Sequence, residues 1–109
     1  MEKRQHPRIP CEITARWQAL ESGPASGPSL VSDISEGGVR FRSNAFIGVR
    51  RRLRVKLELP GLPALSAAVE PVWVRSVPGV GQYEVGARFL TLSEAERGTI
   101  RGFLQTVSR

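Results

Sequence analysis

The clearest chemistry in this sequence sits at fixed offsets in Asp33-Ile34-Ser35-Glu36-Gly37-Gly38, an Asp-x-Ser-x-x-Gly pattern holding the chain's single aspartate. A carboxylate accepts hydrogen bonds from paired N–H donors such as a guanine edge. A serine hydroxyl and the amides of a glycine-rich turn donate to phosphate oxygens. Gly37 and Gly38 allow positive φ and close backbone approach, which a side chain would block. The plainer reading is an Asx-type turn with glycines for curvature. For a chain of this composition the pattern is expected by chance only about 0.01 times, which favours the chemical reading.

A second set of groups is Arg4 and Arg8, with Lys3 beside them. An Arg-x-x-x-Arg spacing is expected about twice in so arginine-rich a chain, and it recurs at Arg50/Arg54 and Arg97/Arg101. The last pair has ordinary i, i+4 helix spacing, and Arg50/Arg54 spans the entry to a strand. Arg4/Arg8 differs because Pro7 keeps the segment extended, so the two can sit up to ~13 Å apart. That separation suits gripping an anion from two sides.

Catalytic and metal chemistry find little to work with. The chain has one histidine, His6, and one cysteine, Cys11; these supply no cluster of three or four metal ligands. No serine lies in a nucleophile elbow, so no enzyme, metal or cofactor is expected. The net charge of +6 is built from fourteen arginines and two lysines, and arginine's planar fork suits phosphates. An anionic partner is therefore favoured over a need for solubility alone. No apolar run approaches the roughly 18 residues of a membrane span. With a single cysteine and no secretory leader, a cytoplasmic protein without membrane contact is the expectation.

The elements that must position these residues are mostly strands. Residues 1–8 form a basic arm, expected to be mobile because it is charged, contains proline and has no core-facing pattern. Ile13, Ala15 and Trp17 alternate with polar residues, and Gly23 to Pro28 reads as loop. A short strand starts at Leu30 and stops at the Asp33–Gly38 turn. Val39 and Phe41 face inward with Arg40 and Arg42 toward water, and Leu53 to Leu59 alternates without a break. Leu65 to Val77 is a strand bent at Pro71, followed by a hairpin at Pro78–Gly81 and a strand over Tyr83–Leu90. Ser93 and Glu96 form a capping box, and Ile100, Phe103, Leu104 and Val107 give an amphipathic helix over about 93–107. About six strands and one final helix make a small β-barrel or a strongly twisted antiparallel sheet.

Taken together, Arg4-Gln5-His6-Pro7-Arg8, the Asp33–Gly38 turn, Val39-Arg40-Phe41, and Val85-Gly86-Ala87-Arg88-Phe89 with the closing helix resemble the PilZ domain family over essentially the whole chain. That resemblance implies an all-β fold, a six-stranded antiparallel β-barrel with a C-terminal α-helix over residues 9–109. It also implies a bacterial receptor for the second messenger cyclic di-GMP. Arg4 and Arg8 would clamp phosphates and guanines, Asp33 would take a guanine edge, and Ser35 a phosphate. Gly38, helped by Gly37, would admit the backbone, and Lys3 would add a cation. Ordering of the arm over the ligand would signal to a downstream protein partner. Two alternatives stand: a PilZ-type scaffold that binds protein through Arg50-Arg51-Arg52 or the helix, and a basic barrel that binds RNA or single-stranded DNA. The second needs exposed aromatics among the arginines, whereas Trp17, Phe41, Trp73 and Phe89 mostly fall on inward positions. A nucleic-acid polymer is therefore not expected.

Overall fold

The computed structural model describes residues 9–20 and 26–107. Among these, six strands run in the order β1 (Ile9–Ala19), β2 (Ser26–Ile34), β3 (Gly38–Ser43), β4 (Leu53–Leu57), β5 (Leu65–Val77) and β6 (Gln82–Thr91), ahead of helix α1 (Glu94–Val107). They close into an antiparallel barrel with neighbours β1-β2-β3-β6-β5-β4.

Alternation explains the barrel wall. In β4, Leu53, Val55 and Leu57 point inward and are fully buried, while Arg54 and Lys56 are exposed. Val31, Val39, Phe41, Val69 and Val85 complete the filling from the other strands. Each such side chain contributes about 1.5–3 kcal/mol on burial. Ile100 and Phe103 from α1 join the same core, so the helix is held by docking. Its start is closed as expected: the Ser93 amide donates to Glu96 Oε1 (2.9 Å) and the Glu96 amide to Ser93 Oγ (3.1 Å).

Two expectations need correction. First, β2 begins at Ser26 and not at Leu30, so Gly27 and Pro28 are strand residues. Gly27 pairs with Trp17, whose indole covers it, and Pro28 lies beyond the stretch that pairs with β3. Its missing donor therefore breaks no ladder there. Second, Trp73 does not face inward. Pro71 pairs with Ala87 and Trp73 with Gly86, leaving Val72 as an extra residue in a bulge. This turns Trp73 to the outer face and Val72 to solvent. A bulge of this kind shifts the period-2 pattern by one for everything that follows.

Candidate functional site

A second bulge builds the site. Val31 pairs with Phe41 and Asp33 with Arg40, so Ser32 is the additional residue of β2. In strict alternation, with Ser32 paired and no bulge, Asp33 would share the inward phase of Val31. With the bulge, Ile34 is buried in the core and Asp33 stands on the outer side beside Arg40. Arg40 Nη2 lies 2.7 Å from Asp33 Oδ2, and Asp33 is only 4% exposed.

The turn that follows is tied by its own atoms. The Ser35 amide donates to the Gly38 carbonyl (2.9 Å), and Ser35 Oγ accepts from the amides of Gly37 (3.1 Å) and Gly38 (3.2 Å). The Gly37 carbonyl accepts from the Phe89 amide (3.0 Å), which pins the turn to β6. Of the two freedoms a glycine allows, positive φ is used at Gly61, Gly79 and Gly81 and not at Gly37 or Gly38. Gly38 is required for a different reason: a Cβ there would run into the Ala87 carbonyl of β6. The glycine lets two backbones pack.

Around the turn, opposite charges alternate across strands. Glu84 on β6 is buried and accepts from Arg75 Nε (3.0 Å) and Nη2 (2.6 Å). Its other oxygen is 3.7 Å from Arg40 Nε, a buried donor that makes no hydrogen bond among the described residues. Arg88 pairs with Glu70 on β5 (2.7 Å), and Arg101 on α1 with Glu36 of the turn (3.1 Å). Hydrogen bonding to Glu36, with its charge, raises the pKa of Arg101 further. The guanidinium of Arg75 also lies 5.7 Å from the centre of the Trp73 ring. That indole crosses Gly86, where a Cβ would leave it no room. Asp33, Arg40, Gly86 and Trp73 thus form one outward row across four strands, about 14 Å from end to end at ordinary strand spacing.

The structure therefore brings Asp33, Ser35, Gly37 and Gly38 together. Lys3, Arg4 and Arg8 lie outside the described residues. The described chain begins at Ile9, which pairs with Ile34, the residue just before Ser35 of the turn. Sequence reasoning missed Arg40, Arg75 and Glu84. Their charge pattern along each strand looked like a solvated face, and the pairing exists only across strands distant in sequence. Among the described residues no group of three or more His, Cys, Asp or Glu could hold a metal ion.

A closed six-stranded barrel with an anchored Asp-x-Ser-x-x-Gly turn on its outer wall defines a small class of proteins. A family model for the PilZ domain matches residues 2–106, and the chain belongs to that family. Among solved structures it is similar to the PilZ domain of YcgR from Escherichia coli with c-di-GMP (13% identity, TM-score 0.79, 99% of this chain and 93% of that one). It is also similar to the K. pneumonia MrkH–c-di-GMP complex (14%, 0.83, 99% and 53%). A third is the Bacillus subtilis inhibitor of motility MotI/DgrA (13%, 0.79, 97% and 52%). The chain thus spans about half the length of MrkH and MotI. No curated protein sequence matches it.

Proposed function

We propose that this PilZ domain is a receptor for cyclic di-GMP, a binding protein and not an enzyme, that passes its signal to a protein partner. One observation carries the reading: Ile9 pairs with Ile34, next to the turn that holds Asp33, and Arg8 and Arg4 come just before Ile9 in the sequence. Arg8 and Arg4, helped by Lys3, take the ligand's phosphates and guanine faces. Asp33 accepts from a guanine edge and is oriented for it by Arg40. Ser35 Oγ and the amides of Gly37 and Gly38 satisfy one another, so a phosphate gains them only by exchanging those bonds. The half-buried Trp73, on the same row, offers a flat surface for a second base.

Two solved structures to which the chain is similar are described with c-di-GMP, which supports this ligand. The lone Cys11 and the arginine-rich composition suit a cytoplasmic messenger receptor. Ordering of the arm onto the turn is the switch, and the surface it creates is what the partner reads. Titration calorimetry with cyclic di-GMP on the wild type and on Arg4→Ala, Arg8→Ala and Asp33→Ala tests the assignment. Each substitution should lower affinity at least tenfold, the loss of one charge-assisted contact at about 1.5–3 kcal/mol. Tight binding indifferent to all three would refute the site.

The mutual satisfaction of Ser35, Gly37 and Gly38 and the pairing of Asp33 with Arg40 favour a second reading, in which the motif is purely architectural and the domain a protein scaffold. A melting temperature unmoved by saturating cyclic di-GMP would select it.

A further inference from the structure

Toward the Leu20 end, from Arg16 on β1 and from Lys56 back to Arg52 beside it, the outer face of β1 and β4 carries charge of one sign; Glu12 of β1 and Glu58 past β4 lie toward the other end. Arg16 lies opposite Lys56 and Gln18 opposite Arg54, and the Leu20 amide donates to the Arg52 carbonyl (3.1 Å). Arg16, Arg50, Arg52, Arg54 and Lys56 are all exposed, and none has a carboxylate partner among the described residues. The acids nearest along the neighbouring strand and strand end are Glu70, paired with Arg88, and the exposed Glu58 just past β4. Like charges set directly opposite across a strand pair are destabilising, so this face is arranged at a cost that an external anion would remove.

The same end of the barrel exposes aliphatic side chains. Leu20 is 45%, Val49 53% and Val72 51% exposed. They are held near the cations by backbone bonds: Leu20 to Arg52, and the Arg50 amide to the Pro71 carbonyl (2.9 Å), which sets the Val49 segment beside the Val72 bulge. A nucleic-acid strand would need aromatic rings among the cations for stacking; between the cations on this wall stand Thr14, Gln18, Ser66 and Ala68. Aliphatic residues rimmed by arginines are instead what shallow insertion at a headgroup boundary uses, with anionic lipid supplying the counter-charge.

We propose that the β1–β4 wall, together with residues 49–52 and Val72, is a peripheral docking surface for an anionic lipid bilayer. The absence of a spanning segment, which underlay the expectation of no membrane contact, does not bear on this mode of attachment. Leu20 and Arg52 sit at the opposite end of β1 from Ile9, on the order of 30 Å away along the strand. The Asp33 turn therefore stays open to its ligand while the barrel rests on lipid.

Sedimentation of the full chain with phosphatidylcholine vesicles, with and without phosphatidylglycerol, tests this independently of cyclic di-GMP. Binding should require phosphatidylglycerol and disappear at high salt. Combining Arg50→Gln, Arg52→Gln and Arg54→Gln should lower the partition coefficient on the order of 100-fold. Leu20→Asn with Val49→Asn should lower it about tenfold with no change in melting temperature. The proposal is overturned by no binding to phosphatidylglycerol at low salt, or by binding that the triple variant leaves unchanged. Tighter binding to an oligonucleotide or to polyglutamate at matched charge also overturns it, and makes a nucleic acid or an acidic protein the occupant.

Discussion

Apart from the exposed Arg42 of β3, the strand cations described above fall into two populations on two sides of the barrel wall. On the β3, β6 and C-terminal β5 side, Arg40, Arg75 and Arg88 each face a carboxylate, and Arg101 reaches Glu36 from the helix. On the β1–β4 side, Arg16, Arg52, Arg54 and Lys56 face water and one another. The paired side belongs to the fold and to the turn it supports. The unpaired side contributes field rather than structure, so the net charge of the chain says little until it is divided between the two.

The two sides should respond differently to substitution. The largest effect is expected at Gly38→Ala, on the paired side, because the new Cβ meets the backbone of Ala87. A loss of about 3 kcal/mol is expected, a fall of roughly 15 °C in a thermal melt; a mild outcome would mean that β3 and β6 separate more freely than their register indicates. Next comes Glu84→Gln, which leaves Arg75 and Arg40 facing a neutral group. Removing one member of a buried pair is costly, but Arg75 is 67% exposed, so about 2 kcal/mol by urea denaturation is the expected loss. Arg54→Gln on the unpaired side should change stability by less than about 0.5 kcal/mol. Lys56→Glu should have the opposite sign and stabilise by about 0.5 kcal/mol, since it converts the Arg16–Lys56 opposition into an attractive pair. A destabilising Lys56→Glu would break the division proposed between the two sides.

Much of the scaffold could be read from the order of residues. The unbroken alternation of Leu53 to Leu59 and the Ser93–Glu96 cap express local rules; the cap stands where they put it, and the strand does too, although it ends at Leu57, two residues short of Leu59. What escaped were the places where the alternation changes phase. Ser32 and Val72 are ordinary residues with nothing in their type to announce a bulge, yet they decide that Asp33 and Trp73 look outward. The motif residues of the turn were legible because their spacing is improbable, while the physical reason for Gly38 was not. It depends on a carbonyl 49 positions away, at Ala87, that only the closed topology brings near. The Asp33–Arg40–Glu84–Arg75 chain was invisible for the same reason.

The bulge at Ser32 also changes what it means for a related sequence to keep or lose this site. Every letter of Asp-x-Ser-x-x-Gly can be present while a strand of the same length runs on in strict alternation with no bulge at Ser32, and the aspartate then belongs to the barrel's inside. The receptor surface is thus encoded partly in how β2 is registered against β3.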